Sequence, residues 1–221
     1  MNKFIIKADE SWLRTKDGKK AEQCLRHDTV AYYHSDYHGG GAWKIDGTIE
    51  NMICTLKNDR TPYSQLKLDS VANRLSEIIR DDLPMILRET GLRKMRVCVI
   101  PRAKHEEHYA ENQKMFRKTI QDAILCLNGF EDGTHDIIRR TDTITTHSYR
   151  SGHGGNGSKP YCGITQETCS ISDNVFGENI LLIDDLYTKT VGIDEDAIQA
   201  LYENGVNRVY FYSIGKTILR Y

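Results

Sequence analysis

Residues 180–192 read ILLIDDLYTKTVG, and the fold class can be argued from this segment. Four apolar residues run directly into two adjacent carboxylates, Asp184 and Asp185, and a loop with hydroxyls, a lysine and a glycine follows. The apolar run predicts a buried strand over residues 179–183, and the pattern after the loop predicts a helix over residues 194–204. Two neighbouring negative charges at the mouth of such a strand repel each other unless a cation or a set of hydroxyl groups binds them.

A strand that ends in two aspartates and leads through a hydroxyl-rich turn into a helix suits a phosphorylated sugar. The carboxylates can accept hydrogen bonds from two vicinal ribose hydroxyls and can orient Mg²⁺. The turn offers backbone N–H groups and threonine hydroxyls to a phosphate at the helix N-terminus, where the helix dipole favours an anion. In the simpler alternative the aspartates only cap the following helix, but they lie well ahead of its first turn.

The rest of the chain alternates between strand and helix patterns. Further strands are predicted over residues 4–7, 30–34, 97–100, 137–138 and 208–214. Further helices are predicted to begin at Thr48 and to span residues 66–81 and 107–127. Repeated strand–helix–strand units predict an α/β fold with a mainly parallel twisted sheet flanked by helices. Ligands bind beyond the carboxyl ends of such strands, so residues 101–104 and 184–192 can share one site.

Composition limits the classes of protein to consider. The chain has 221 residues, which allows one large domain or one domain with a small appendage. A net charge of -1 gives no whole-chain reason to expect nucleic-acid binding. No apolar run approaches the roughly 20 residues that span a bilayer, and acidic residues come too early in MNKFIIKADESW for a secretory signal. We therefore expect a cytoplasmic protein with no membrane partner.

The six cysteines are scattered without a C-x-x-C pair, and a disulfide framework is not expected. Three of them lie within apolar patterns and are predicted to be small core residues: Cys54, Cys98 and Cys126. A zinc site is the open alternative for a group whose spacing fits no common motif: His147, His153, Cys162 and Cys169. All four belong to a long segment rich in Gly, Ser and Thr, residues 141–171, and a loop of this length is usually functional or disordered.

Residues 180–209, ILLIDDLYTKTVGIDEDAIQALYENGVNRV, resemble the ribose-phosphate-binding signature of type I phosphoribosyltransferases. Within that superfamily the resemblance is greatest to the ComF-like (competence protein F-like) branch. Residues 48–79, TIENMICTLKNDRTPYSQLKLDSVANRLSEII, resemble its entry region of an apolar helix, an LK pair and a second helix. Residues 97–120, VCVIPRAKHEEHYAENQKMFRKTI, resemble its VPVP strand, basic turn and Asn-Gln pair, here Asn112-Gln113. Together the matches cover about residues 45–217.

The resemblance implies an activity. Such enzymes transfer the ribose 5-phosphate of PRPP (5-phosphoribosyl 1-diphosphate) to a nitrogen nucleophile, with Mg²⁺ bridging the diphosphate and the ribose. Asp184 and Asp185 would hold the ribose hydroxyls and, indirectly, the magnesium ion, and they would stabilise positive charge at the anomeric carbon.

The resemblance also assigns residues to three loops. The 5-phosphate cradle would be Thr188, Lys189, Thr190, Val191 and Gly192. The diphosphate loop would be Pro101, Arg102, Ala103 and Lys104, with plain surface charges as the alternative for its two cations. A hood loop around residues 147–160 would close over the substrate and exclude water, with Arg150 and Lys159 as phosphate contacts.

The phosphate loop departs from the family pattern, which reads T-T-G-A-T where this chain has T-K-T-V-G. Thr190 replaces a glycine, which implies strain or another loop course if that position has positive φ, and Gly192 replaces a threonine hydroxyl. In one interpretation Gly192 supplies the missing backbone flexibility two residues later and Lys189 adds a positive charge for the phosphate. In the other, the phosphate site is altered and transferase activity is lost. We expect no cysteine-rich zinc module of the kind that the branch carries, because residues 1–47 contain only Cys24. We predict a hood or appendage over residues 1–47 and a phosphoribosyltransferase-like domain over residues 48–221.

The expected function is that of a phosphoribosyltransferase, a glycosyltransferase of nucleotide metabolism, that binds PRPP or a related ribose phosphate with Mg²⁺. The alternative is a non-catalytic nucleotide or PRPP sensor, or a partner protein in DNA uptake, processing or defence. A homodimer and a DNA-processing partner stay open as assemblies. A plain interaction scaffold would leave the carboxylate pair unexplained.

Overall fold

Six strands form the central sheet in the computed structural model, which describes residues 1–8, 25–59, 62–143, 163–165, 168–189 and 191–218. In chain order the strands of the molecule are β1 (Asn2–Ile6), β2 (Thr29–Tyr37), β3 (Met95–Val99), β4 (Phe130–Gly133), β5 (Ile137–Arg139), β6 (Cys169–Ile171), β7 (Asn179–Tyr187) and β8 (Arg208–Thr217). The sheet order is β1-β2-β8-β7-β3-β4, and neighbours are parallel except for the antiparallel edge strand β1. Strands β5 and β6 form a separate antiparallel pair.

Helices cover both faces of this sheet. Within the described residues these are α1 (Ile49–Lys57), α2 (Gln65–Thr90), α3 (Met115–Ile124) and α4 (Ile193–Glu203). Leu181 and Ile183 of β7 pack into the cluster that holds α1, α2 and α3, whereas Ile180 and Leu182 pack into the cluster that holds α4. All four are fully buried, and each buried side chain of this size contributes about 1.5–3 kcal/mol. The prediction of an α/β fold with a mainly parallel, helix-flanked sheet is confirmed.

Several predicted bounds change in the structure. Strand β7 continues to Tyr187, so Asp184 and Asp185 lie within the strand and not in the loop after it. Helix α2 continues through Pro84 to Thr90. The predicted helix over residues 107–127 is wrong in its first third, because residues 105–114 are polar and form two 3₁₀ turns ahead of α3.

Two short strands and one cysteine were also not predicted correctly. The pairing of β4 with β3 and of β6 with β5 could not be seen in sequences as short and polar as FEDG and CSI. Of the three cysteines predicted to be core residues, Cys98 is buried and Cys54 is half-buried. Cys126 is exposed, because it follows the last buried residue of α3, Ile124.

The N-terminal residues contribute strands to the main sheet. Strand β2 pairs in parallel with β8 along most of its length, and β1 closes that edge against β2. The hood role of residues 1–47 stays a prediction, and so does the domain boundary at residue 47. In the described part of the chain, no helix has both the length and the apolar character that crossing a bilayer requires.

A buried carboxylate ties three elements together on one face of the sheet. Asp82 of α2 is 3% exposed and accepts hydrogen bonds from the Tyr212 hydroxyl of β8 at 2.7 Å and from Nδ1 of His34 of β2 at 2.9 Å. Burial by itself would raise the pKa of Asp82, but the hydrogen bonds from His34 and Tyr212 outweigh it and lower that pKa. The ionised carboxylate therefore contributes to the stability of the fold.

We expect Tyr212→Phe to lower the free energy of unfolding by about 1–3 kcal/mol, because it removes a donor from a buried carboxylate. Since the pKa of Asp82 is lowered in the fold, the stabilisation is present above the ordinary value of 3.8 and is lost as the pH falls through the folded pKa. Chemical denaturation at about pH 7 and about pH 3 measures the change. In the control Tyr210→Phe, the lost hydroxyl accepts only a 3.3 Å hydrogen bond from Arg208. An equal loss at both pH values would contradict the prediction.

Candidate functional site

The carboxyl edge of the sheet brings together segments that are far apart in sequence. Asp184 and Asp185 lie near the end of β7, and the basic residues 101–104 follow the neighbouring strand β3 directly. The last residues of α1 reach the same edge, because the Lys57 ammonium contacts the Asp185 carboxylate. This edge is the expected ligand position in a parallel sheet.

The two adjacent aspartates point to opposite faces of β7, as successive residues of a strand do. Asp185 faces α1, where Nζ of Lys57 lies 2.9 Å from its Oδ1 and 2.8 Å from its Oδ2. Burial by itself would lower the pKa of Lys57, but Asp185 and Asp184 outweigh it and raise that pKa. The charge of Asp185 is therefore balanced within the protein.

Asp184 faces α4 and meets another carboxyl group. It shares a side-chain hydrogen bond with Asp194, and its Oδ1 accepts the backbone N–H of Asp185 at 2.7 Å. Burial and the charge of Asp185 raise the pKa of Asp184 to about 7. Burial and the charge of Asp184 raise the pKa of Asp194 well above its usual value. One shared proton is the natural state of such a pair.

Asp194 is 3% exposed, and its Oδ1 has no hydrogen-bond partner among the described residues. The other two carboxylates in the first turn of α4 have partners away from the helix end. Glu195 accepts the Tyr187 hydroxyl at 2.9 Å, and Asp196 accepts the backbone N–H of Gly163 at 3.0 Å. Burial raises the pKa of Glu195 to about 7. The N-terminus of α4 thus carries carboxyl groups whose ionisation is suppressed.

The predicted phosphate loop joins β7 to α4. Oγ1 of Thr188 lies 2.7 Å from Oγ1 of Thr217, and the carbonyl of Thr188 accepts the N–H of Val191 at 2.9 Å. Gly192 takes a φ of 78°, the left-handed conformation, directly before α4. Thr190, the substitution that departs from the family pattern, lies outside the described residues, whereas Lys189 is half-buried. A position of positive φ therefore exists in this loop, and a glycine occupies it.

Arg102, in the predicted diphosphate loop, has internal partners for both of its terminal amino groups. Its Nη1 donates to the carbonyls of Lys57 at 3.1 Å and Gln113 at 2.8 Å. Its Nη2 lies 2.5 and 2.6 Å from the two carboxylate oxygens of Asp59, and the guanidinium carbon lies 4.1 Å from the centre of the Tyr109 ring.

The other members of the predicted diphosphate loop have their own surroundings. Pro101 is buried, Ala103 is half-buried and Lys104 is exposed. The carbonyl of Ala103 accepts hydrogen bonds from the backbone N–H of Thr143 at 2.7 Å and from its hydroxyl at 3.1 Å. These bonds hold the loop against the segment that follows β5.

Arg139, at the end of β5, holds the same loop from below and was not predicted from the sequence. Its side chain is 3% exposed; Nε donates to the carbonyl of Arg102 at 3.1 Å, and Nη1 donates to the carbonyl of Gly163. Burial lowers the pKa of Arg139. Among the described residues these contacts are carbonyl oxygens and not carboxylates, so a buried positive charge lies beneath the loop. The signal available in the sequence was an arginine directly after a short apolar strand.

Several predicted site residues lie outside the described residues. These include the hood-loop cations and three of the four zinc candidates: Arg150, Lys159, His147, His153 and Cys162. The fourth zinc candidate, Cys169, is buried at the start of β6. In the ranges that the structure describes, no group of three or more His, Cys, Asp or Glu side chains is arranged to hold a metal ion.

Two cavities lie on the α3 side of the predicted diphosphate loop, residues 101–104, which we call the basic loop. One of about 440 Å³ follows the two 3₁₀ turns and α3, and none of the predicted site residues lines it. The other, of about 50 Å³, lies beneath the basic loop, and its lining includes Pro101, Arg102, Lys104 and Arg139. The larger cavity is therefore separate from the carboxylate pair.

Comparison with models of known protein families gives no match, and no curated protein matches the chain either. The class of protein is therefore defined by the fold: an α/β protein with a mostly parallel six-stranded sheet. Its candidate site is the carboxyl edge, where Asp184, Asp185, Lys57 and Arg102 meet.

We expect Asp184→Asn to raise the midpoint of thermal unfolding in the presence of a chelator. The pKa of Asp184 is raised from 3.8 to about 7 in the fold, so wild-type stability falls as the pH rises from 3.8 towards 7. The asparagine keeps the hydrogen bonds to Asp185 and Asp194 and removes the charge. The gain should be largest above about pH 7 and should shrink as the pH falls.

Thermal unfolding at pH 8 and pH 5 measures the difference. The control Asp173→Asn changes an exposed aspartate ahead of β7, at the opposite edge of the sheet, and should give no gain at either pH. A gain that does not depend on pH would contradict the assignment of a suppressed ionisation to Asp184.

Proposed function

We propose that the protein binds PRPP or a related ribose phosphate with Mg²⁺ and transfers the phosphoribosyl group to a nitrogen nucleophile. The observation that carries the proposal is the contact between four motifs that come from three well-separated stretches of the sequence. Lys57 of the LK pair binds Asp185 of the carboxylate pair at 2.8 Å. Arg102 of the basic turn donates to the carbonyls of Lys57 and of Gln113, the second residue of the Asn-Gln pair.

The fold supports the same proposal. The sheet is mainly parallel, and all four motifs lie at or beyond its carboxyl edge, where such sheets bind ligands. We propose the type I phosphoribosyltransferase fold for residues 48–221, with residues 1–47 as a small N-terminal hood region. The fold alone does not determine the activity, so the site chemistry carries the argument.

The proposed reaction is a displacement at the anomeric carbon of the ribose. The bond from this carbon to the diphosphate oxygen breaks and the diphosphate leaves with the electron pair. The nitrogen lone pair forms the new bond, and the nitrogen releases its proton. Asp184 and Asp185 orient the two ribose hydroxyls and stabilise the positive charge that develops on the sugar. Arg102 and Lys104 bind the diphosphate, and the N–H groups around Gly192 bind the 5-phosphate.

Magnesium fits the chemistry of these residues. The ion prefers oxygen ligands and keeps several waters, so it uses one or two carboxylates together with substrate phosphates. The raised pKa values of Asp184 and Asp194 arise in part from repulsion between carboxyl groups, which a nearby cation would relieve. Asp184 and Asp185 would hold the ion through their oxygens or through water, and when bound it would neutralise the charge of the leaving diphosphate.

A non-catalytic sensor of PRPP or a nucleotide is the second candidate. It is favoured by the T-K-T-V-G loop and by the internal ion pairs of Asp185 and Arg102, which hold both charged groups in the free protein. A sensor requires binding but not turnover, and it could act on a partner in DNA uptake, processing or defence. The two candidates share the ligand and differ in the release of diphosphate.

We expect isothermal titration to detect Mg²⁺-dependent binding of PRPP to the wild-type protein. Asp184→Asn and Asp185→Asn should each weaken binding about tenfold or more, because each removes charge-assisted hydrogen bonds to the ribose or the ion. Asp173→Asn, a charge-matched change at the opposite edge of the sheet, should leave the affinity unchanged. No binding to the wild-type protein would overturn the proposed function.

Release of diphosphate across a panel of nucleobases and amines then separates the two candidates. Release that depends on the acceptor and is lost in Asp185→Asn supports the transferase. Tight binding without release for any acceptor supports the sensor.

A further inference from the structure

The Arg102 guanidinium divides its partners between its two terminal amino groups. Nη1 donates to two backbone carbonyls, those of Lys57 and Gln113, at 3.1 and 2.8 Å. Nη2 faces the Asp59 carboxylate, with both oxygens within 2.6 Å. The first set of bonds fixes the position of the cation, and the second neutralises its charge.

The Asp59 carboxylate lies where another anion could replace it on Arg102. Its side chain is 38% exposed, compared with 27% for Arg102, and exposed ion pairs of this kind contribute little net stability. Its other described contact is a 3.2 Å hydrogen bond that Oδ1 accepts from Nε2 of Gln113. An anion of higher charge that presents two oxygens to the same donors would compete well for this position.

The position of Arg102 does not depend on Asp59. The two carbonyls hold Nη1, and Tyr109 lies against the guanidinium face at 4.1 Å. From the other side, Arg139 donates to the carbonyl of Arg102 itself. Removal of the carboxylate would therefore leave a positioned cation with two free donors at the surface.

We propose that Asp59 is an internal competitor: in the free protein its carboxylate occupies the anion position on Arg102 that a diphosphate or phosphoryl group takes when ligand binds. The inference rests on the proposed function, since it assumes that Arg102 faces the diphosphate of the ligand. Asp59 thereby sets the affinity of the site, because each binding event includes the loss of the Asp59–Arg102 pair.

The same end of α1 supplies a second internal partner. Lys57 lies two residues before Asp59 in the chain. Lys57 pairs with Asp185, and Asp59 pairs with Arg102. Both ion pairs of the site thus depend on one short segment, residues 57–59. The Asp59 carboxylate would compete in the same way with other anions, including free inorganic phosphate, for the Arg102 guanidinium.

The test is a titration of inorganic pyrophosphate into the wild-type protein and Asp59→Asn, by calorimetry at low salt. We expect Asp59→Asn to bind pyrophosphate about two- to fivefold more tightly, the gain that loss of one exposed ion pair gives. The control is Asp46→Asn, which breaks another exposed pair, with Lys67 at 2.7 Å, at the opposite end of α1. That variant should bind like the wild type, because it removes the same charge from a different place.

Asp59→Ser repeats the measurement with a smaller side chain, and circular dichroism verifies that each variant is folded. Equal or weaker binding by both Asp59 variants would overturn the inference, because Asp59 would then support the anion site rather than compete for it. An equal gain in Asp46→Asn would overturn it too, by pointing to net charge alone. Absence of pyrophosphate binding in all proteins overturns it as well, since Arg102 would have no anion to exchange.

Failure of the proposed function gives a different result. In that case the Asp59 variants gain affinity for pyrophosphate, but neither they nor the wild type bind PRPP with Mg²⁺. If the wild type binds PRPP with Mg²⁺ and the Asp59 variants show no gain for pyrophosphate, the function stands and the competitor does not.

Discussion

The alternation of side chains along β7 is the constraint on which the candidate site depends. Because successive residues of a strand face opposite sides, the two adjacent carboxylates have different hydrogen-bond partners. Asp185 lies against α1 and receives the ammonium group of Lys57. Asp184 lies against α4 and shares a hydrogen bond with Asp194. The same strand thus holds one carboxyl group that pairs with an ammonium group and one whose pKa is raised by burial and by neighbouring charge, although the two residues are neighbours in sequence.

The sequence predicted those parts of the molecule that depend on local pattern. The apolar run of β7 and the start of α1 at Thr48 are visible in a few consecutive residues, and both are present. The positions of the ion pairs were not visible, because Lys57 is 128 residues from Asp185 and Asp59 is 43 residues from Arg102. A charge on a helix end has no partner that sequence alone can identify. The motifs were identified in the sequence by their resemblance to those of phosphoribosyltransferases, but that resemblance did not predict which charged residues pair with one another.

The errors in the predicted elements have the same origin. Residues 107–114 were assigned to a helix, but they belong to a pair of turns over residues 105–114 that distant groups hold in place. The His105 N–H donates to Asp142, and Gln113 contacts Asn58 and Asp59. Tertiary contacts override local helix preference in such polar segments. Site residues that hold other loops, such as Arg139, escape prediction for the same reason, since their role consists of contacts between segments.

The contacts of Arg139 have a consequence for the entropy of the chain. One guanidinium binds the carbonyls of Arg102 and Gly163, and Thr143 binds Ala103. These bonds anchor the chain at residues 143 and 163 to one small region of the fold. Most of the entropic cost of closing a long loop lies in bringing its ends together, and folding of the sheet has already met that cost. The loop-closure entropy between residues 143 and 163 is therefore part of the free energy of folding.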